Sequence, residues 1–347
     1  MKKNYLDIID PIHDFIRVYD YELPIIDSPL FQRLRRIKQL SGAHLTYPSA
    51  QHSRFEHLLG VMHIATEAGF ALNEKEFLNS DDVQILRLAS LLHDIGHGPF
   101  SHLFEEIIQE KKISHEDFGK KIILKSEIGD ILSKTGFDKK LIAQIAFGES
   151  KFQYLNEIVS GALSADMMDY LLRDGYFTGA EHAKVDHKRI TQSLSVHKKK
   201  IALERSALYS FESMMHSRYQ MFKAVYFHKT VRAAEVMLIQ ALRLSDDEFG
   251  FTSFNLNEYV ELTDEFVLSS IISSKSSKLK KAKKLAEDYQ NRKLLKCVFE
   301  RILTSQKNLK KTRTDELRLQ ISKKSHIDEN EIYVDSSVTP SIPLAPS

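Results

Sequence analysis

The chain has 347 residues, 42% of them hydrophobic, enough for one large domain or two modest ones around a sizeable core. Its 49 basic and 47 acidic residues leave a formal charge of +2, so no whole-molecule field marks a nucleic-acid or membrane-surface binder, and any basic partner site is local. No stretch reaches the roughly 20 apolar residues that a bilayer span needs, the lone Cys297 has no internal disulfide partner, and residues 1–5 lead into no signal-like apolar run, so a cytoplasmic protein without membrane attachment is expected.

The first elements alternate apolar and polar residues around Ile8-Ile9 and Phe15-Ile16-Arg17-Val18, with Asp10-Pro11 and His13-Asp14 between them, which predicts a small β-hairpin. From Ser28 the spacing turns helical. Asp27 or Ser28 can cap, Pro29 suits a first turn, and Leu30, Phe31, Leu34 and Ile37 form an apolar stripe. A helix over 53–72 carries His57, Gly60, Val61, Ile64 and Ala68 on one inward stripe. The next starts at a Ser80-Asp81-Asp82 cap and must stop near Gly96-His97-Gly98-Pro99, which leaves His93-Asp94 at the end of a buried helix. A third helix over 155–173 repeats Asp166, Tyr170 and Asp174 at intervals of four on one face. A long helix over 211–244 includes Arg218 and Tyr226, two turns apart. The chain is more charged beyond Gly250, and the Ser/Pro-rich stretch 336–347 reads as a disordered tail. The expectation is a mainly α protein with a small N-terminal hairpin, a core over 1–250 and a helical region over 251–335 packed on it.

Seven of the fifteen histidines fall between His52 and His115, a crowding that a helical core has no structural reason to prefer. Histidine is the commonest metal ligand and a ready proton donor near neutral pH. His57, His93, Asp94 and Asp166 fit one metal. Two imidazoles and two carboxylates leave positions open for water and a phosphate oxygen, which suits Mn²⁺, Fe²⁺ or Mg²⁺ better than a closed tetrahedral site, with Ni²⁺ and Zn²⁺ also admitted. A His-Asp dipeptide by itself is a weak signal, and a hydrogen-bonded pair is its ordinary explanation. The surroundings strengthen it: His97, His102 and His115 follow, and Gly96, Gly98 and Pro99 shape a loop open to a ligand. His63 is read instead as a satisfied helix histidine.

The runs Arg33-Leu-Arg-Arg-Ile-Lys-Gln-Leu40, Ser53-Arg-Phe-Glu-His-Leu-Leu-Gly-Val61, His93-Asp-Ile-Gly-His-Gly-Pro-Phe-Ser-His102, Asp166-Met-Met-Asp-Tyr-Leu-Leu-Arg-Asp174 and Glu258-Tyr-Val-Glu-Leu-Thr-Asp264 together resemble the HD-domain deoxynucleoside triphosphate triphosphohydrolases. The likeness is to the sterile-alpha-motif and HD-domain branch, without a sterile-alpha-motif segment, and it covers most of residues 5–330. It implies a helical HD fold and attack of metal-activated water on the α-phosphorus of a dNTP, releasing deoxynucleoside and triphosphate. In that family the ligands match His57, His93, Asp94 and Asp166. Arg54 would hold phosphate, His97 would contact the α-phosphate, and His102 would protonate the leaving 5′ oxygen. His115 and Glu116 match an orienting pair, with Glu105 as a supporting carboxylate. Gln39 and Leu40 would read the deoxyribose, and Tyr170, Asp174, Arg218 and Tyr226 would line the rest of the substrate pocket.

The chain departs from the family at Met167, where a lysine or arginine usually faces the phosphates, so either another cation substitutes or the substrate has fewer phosphates. Asp27, Gln32 and Arg35 match the guanine-reading trio of the family's activator site, although a preceding lysine of that site aligns with Leu6; of a second activator site only Arg189 is recognisable. The resemblance thus implies a dNTP substrate, a GTP or dNTP activator and a homodimer or higher homo-oligomer. The rivals are another HD phosphohydrolase activity, nucleoside monophosphatase or phosphodiesterase, and a nucleic-acid-binding module built on Lys198-Lys199-Lys200 and the lysines between Lys275 and Lys284. Those lysines lack interleaved aromatics, so a solvated helix face is the preferred reading of them.

Overall fold

The structure, a computed structural model, describes residues 4–300 and 311–335; the tail expected over 336–347 lies outside them. Strands β1 (Tyr5–Asp10) and β2 (Asp14–Tyr19) pair antiparallel, with Ile8 opposite Ile16 and Asp10 opposite Asp14. This is the expected hairpin. Two single turns follow, α1 (Leu23–Ile26) and α2 (Pro29–Gln32). Ser28 caps α2 by accepting from the Phe31 N–H, and Pro29 opens it. The helical spacing does not continue as one helix. Arg33–Arg36 tighten into a 3-10 turn and Ile37 is extended, because the backbone of 37–39 bonds across to the segment before the next helix: Arg54 N–H to the Ile37 carbonyl at 2.9 Å and Gln39 N–H to that of His52 at 3.1 Å.

Helix α3 (Arg54–Glu74) starts on a capping box in which Ser53 N–H donates to Glu56 at 2.9 Å. Fifteen of its 21 residues are buried, so it is the central helix of the core rather than an amphipathic surface one. Helix α4 (Ser80–Leu92) is capped one residue earlier than expected, by Asn79, whose side chain accepts from the Asp81 and Asp82 N–H groups. It ends at Leu92 with His93 as the C-cap. Helices α5 (His102–Ile108), α6 (His115–Lys125), α7 (Glu127–Lys134) and α8 (Lys139–Ala146) follow. The helix expected over 155–173 is two, α9 (Gln153–Val159) and α10 (Ala165–Thr178), separated where Ser164 turns extended and caps α10 through the Met167 N–H.

After α11 (His187–Gln192), strands β3 (Leu194–His197) and β4 (Lys200–Leu203) form a second hairpin that sequence reading missed. Lys198 and Lys199 are its two turn residues, both at positive φ (49° and 65°), so they are not part of a helix face. Helices α12 (Leu208–Met221) and α13 (Lys229–Phe249) replace the single helix expected over 211–244, with a π-helical turn, Phe222–Tyr226, between them. Then come α14 (Leu256–Tyr259), α15 (Asp264–Ser273), α16 (Lys280–Gln290) and α17 (Lys311–Ser325). Most lysines of the 275–284 run do lie on or beside a helix, α16.

The fold is mainly helical with a small N-terminal hairpin, as expected. Two buried apolar clusters hold it. The larger one gathers β2, α3, α4, the middle helices and α10; the second joins α5 and α13 to residues of α15 and α16. Helices α3 and α10 meet at Gly60, where an added Cβ would stand 1.9 Å from Asp169 Oδ1, so only glycine lets the two helices come close enough to share the polar groups described next. Among the described residues no helix is long and apolar enough to cross a membrane.

Candidate active site

The end of α4 and the inner faces of α3 and α10 bring His57, His93, Asp94 and Asp166 together. His57 Nε2 stands 3.2 Å from Asp166 Oδ1, and His93 Nε2 stands 3.7 Å from the same oxygen and 3.6 Å from Asp94 Oδ1. The two rings are 5.7 Å apart at 68°. His93 Nδ1 donates to the Ser90 carbonyl at 2.8 Å, and because a carbonyl only accepts, the neutral ring turns the lone pair of Nε2 inward. His57 Nδ1 is held at 2.8 Å by Asp169 Oδ2, with the same consequence. Among the described residues both Nε2 atoms are buried with no hydrogen-bond partner. Buried imidazole nitrogens left free while their opposite nitrogens are fixed are what a metal-ligating pair requires, so these residues fit a divalent cation.

The electrostatics agree. Burial, the largest influence, pushes the His57 imidazole down, yet the Asp166 and Asp169 carboxylates carry it up to about 9. Burial likewise opposes ionisation of Asp166, but His57 and His93 hold its carboxyl far below the usual range. The pocket therefore stabilises positive charge at this spot, and proton and cation compete for it.

Beside it lies a second group. Arg54, 1% exposed at the first turn of α3, donates through Nε to Ser101 Oγ at 2.8 Å and through Nη1 to Asp94 Oδ2, while Nη2 has no partner among the described residues. The loop after α4 turns so sharply that Phe100 and Ser101 both take positive φ (57° and 52°). Gly96 permits this loop to touch α6: a Cβ there would lie 2.1 Å from the His115 carbonyl. His97 packs 4.0 Å from the His115 ring and 5.1 Å from that of His102, with neither ring nitrogen hydrogen-bonded among the described residues. Burial first, and then the nearby Arg54 cation, push its pKa well down, so it is neutral. Glu105 links the other two: His115 Nδ1 lies 2.6 Å from Oε1 and His102 Nδ1 3.3 Å from Oε2. Burial lowers the His115 pKa, but the bond to Glu105 raises it overall.

Glu116 is the exception. It is exposed on the first turn of α6, and the partner of His115 is Glu105. The adjacency His115-Glu116 misleads because neighbouring residues on a helix point about 100° apart.

Among the other expected residues, Asp174 binds His52 Nε2 at 2.8 Å and accepts from the Tyr226 hydroxyl at 2.7 Å. Arg218 lies with Nη1 3.8 Å from Met167 Sδ, and its Nε is buried without a partner among the described residues. A cation thus stands beside the methionine. Tyr170 is partly buried, Leu40 packs against the core, and Gln39 has a buried Oε1 with no partner among the described residues. Arg35 donates to Gln32 at 2.8 Å and stacks over Phe55, whereas Asp27 is an exposed C-cap with no side-chain bond joining it to them. Arg189 reaches the Ser206 carbonyl at 3.3 Å.

Sequence reading missed Asp169, His52, Ser101 and His13. Asp169 had a signal, an Asp/Arg pair at i,i+4 with Arg173. The others act through contacts remote in sequence and had none.

Comparison with known proteins accords with this geometry. Residues 54–174 match the HD domain, and residues 185–345 match the HD associated region. An uncharacterised protein of Bacillus subtilis, YwfO, is 35% identical over 75% of this chain and 64% of its own length. A Dictyostelium discoideum deoxynucleoside triphosphate triphosphohydrolase, a SAMHD1 homolog, is 31% identical over 88% of this chain and 62% of its own. The crystal structure of a phosphohydrolase from Bacteroides thetaiotaomicron superposes with a TM-score of 0.75 at 30% identity, covering 94% of this chain and 85% of that one. The chain belongs to the HD-domain phosphohydrolase family. It spans less than two thirds of the length of the two curated relatives.

Proposed function

We propose that the protein hydrolyses deoxynucleoside triphosphates to deoxynucleoside and triphosphate, by attack of water on the α-phosphorus. The observation that carries this is the pair of unpartnered Nε2 atoms of His57 and His93 facing Asp94 and Asp166, with the free Nη2 of Arg54 alongside. A divalent ion held by those four residues would supply Lewis acidity towards a phosphate oxygen and make water a nucleophile near neutral pH. Arg54 donates through Nη2 to a phosphate oxygen, and Ser101 and Asp94 keep its fork in place. Neutral His97 offers a ring N–H to the α-phosphate. His102, at the mouth of the pocket, hands a proton to the leaving 5′ oxygen, oriented by Glu105, which also steadies His115. Arg218 serves the outer phosphates in place of the cation missing at Met167, while Gln39 and Leu40 close around the sugar. Tyr170 lines the pocket beside Tyr226, which Asp174 positions.

Sequence kinship with a deoxynucleoside triphosphate triphosphohydrolase over 88% of the chain supports the choice of substrate. The reading extends to an activating GTP or dNTP at Asp27, Gln32 and Arg35, and to a homodimer or larger assembly. The test is incubation with each dNTP, with and without GTP, in Mn²⁺, Fe²⁺ or Mg²⁺, with the products resolved. Triphosphate is expected; inorganic phosphate or a nucleoside monophosphate would point to another phosphohydrolase, and no hydrolysis of any nucleotide would overturn the enzymatic reading. His93→Ala and Asp94→Ala should each abolish turnover, whereas His63→Ala should leave it nearly intact.

A further inference from the structure

The loop that carries His97 is held by two buried side chains that the proposed reaction does not use. Arg33, from the 3-10 turn after α2, and Tyr259, the last residue of α14, are 2% and 0% exposed. The Tyr259 hydroxyl donates to the Gly96 carbonyl at 2.8 Å, and Arg33 donates through Nη2 to the carbonyl of His97 itself. Between those two carbonyls, the His97 N–H donates to the Asp94 carbonyl at 3.1 Å. Three successive backbone groups are thus fixed. The two side chains also touch each other: the Arg33 guanidinium lies over the Tyr259 ring, 5.7 Å from its centroid, and that ring stacks on Phe118 at 3.7 Å and 1°. Phe118 is three residues along α6 from His115. The clamp therefore joins the loop to the helix whose histidine packs 4.0 Å from His97.

His97 depends on its backbone more than its neighbours do. The Ser90 carbonyl aims His93, Asp169 aims His57, and Glu105 aims His102 and His115. Neither ring nitrogen of His97 has a hydrogen bond among the described residues, so packing and the backbone alone direct its ring. A guanidinium is also more than one carbonyl needs. Arg33 spends Nη2 on a neutral acceptor, and its Nη1 has no partner among the described residues. Burial, the largest influence, lowers its pKa, yet a guanidinium keeps its proton. A buried cation without a paired anion costs stability. An anionic group bound at His97 offsets that cost, so the charge of Arg33 is balanced when a phosphate arrives.

We propose that Arg33 and Tyr259 are positioning residues for the reaction: by holding the carbonyls of Gly96 and His97 they set the direction in which the His97 imidazole meets the α-phosphate. This rests on the role given to His97 in the proposed reaction.

The test is a double-mutant cycle on the metal-loaded full chain, with thermal melts to show that every variant is folded. Tyr259→Phe removes one hydroxyl and keeps the ring on Phe118. It should lower kcat for dNTP hydrolysis by about tenfold, the equivalent of one hydrogen bond, and change KM by less than about twofold. Arg33→Gln should lower kcat further, and Arg33→Lys, which keeps a cation and a donor, should recover part of that loss. Both effects should vanish in His97→Ala, where no ring remains to be aimed; a general loosening of the fold would lower kcat by the same factor with or without the ring. A second readout needs no turnover. The His97 ring signal in the NMR spectrum, identified by its absence in His97→Ala, should be single in the wild type and doubled or shifted in Tyr259→Phe. Losses that add in the cycle, or a His97 signal unchanged in folded Tyr259→Phe and Arg33→Gln, would overturn the proposal. Hydrolysis of another phosphate ester in place of any dNTP would count against the substrate reading alone, and the cycle run on that ester decides the clamp.

Discussion

Asp169 has no exposed side-chain surface and receives four bonds of 2.7–2.9 Å, from His13, His57 and twice from Arg173. Burial opposes its charge most, but Arg173 and the two imidazoles hold the carboxyl well below its usual range, so it stays an acceptor. Without it His57 loses the bond that turns its Nε2 towards Asp166. Asp169→Asn should therefore weaken divalent-cation affinity at the His57 centre by about 10–100-fold, read by calorimetric titration of the demetallated protein; an unchanged affinity would show that packing alone aims the ring. The contrast with Asp166 explains what was legible. Asp166, Tyr170 and Asp174 form a visible i,i+4 series, whereas Asp169 lies on the neighbouring face and acquires its role only when His13 and His57 arrive from 156 and 112 residues away.

Elements were legible where local signals agreed and obscure where they conflicted. Helix α3 has a capping box, a largely apolar composition and no proline, and it forms as read despite its interior Gly60 and Gly69. The stretch 211–244 has uniform helical spacing, yet it opens into a π-helical turn at Phe222–Tyr226, which ends with the Tyr226 hydroxyl on Asp174. The second hairpin was missed because Lys198-Lys199 contains neither the Gly nor the Asn that usually announces a two-residue turn. Both lysines pay for positive φ. The double variant Lys198→Asn with Lys199→Gly, which installs the turn residues that tolerate this backbone, should raise stability by about 1 kcal/mol without touching the site. Urea unfolding measures this, and a variant less stable than the wild type would show that the lysine side chains contribute more than their backbone conformation costs.

Across the whole molecule, the C-terminal part reaches back into the site through Asp264 at the start of α15. Its carboxylate accepts from Phe100 N–H at 2.7 Å and Lys38 N–H at 3.0 Å, pinning the sharp turn whose Ser101 holds Arg54. Burial pushes this carboxyl up to about 6, against the two backbone donors. The folded chain thus keeps a proton that the unfolded chain, with an aspartate pKa of about 3.9, has released. The stabilisation is present in full below about pH 4 and is lost as the pH rises through about 6, a change of at most about 3 kcal/mol. Unfolding free energies of the wild type and Asp264→Asn, compared from about pH 4 to about pH 7, should show the wild type losing ground by up to that amount; a gap independent of pH would mean that Asp264 is ionised throughout. Sequence alone determined the hairpin and the central helix and pointed to His57, His93, Asp94 and Asp166 as candidate ligands, because capping, periodicity and the chemistry of histidine and aspartate act within a few residues or within a motif. Tertiary structure alone decided where the long helical stretches break, that Glu105 rather than Glu116 holds His115, that Arg218 lies beside Met167, and that one aspartate serves histidines on both its sides. Each of these depends on which distant groups remain to satisfy a buried nitrogen or oxygen, and that is settled only when the chain is packed.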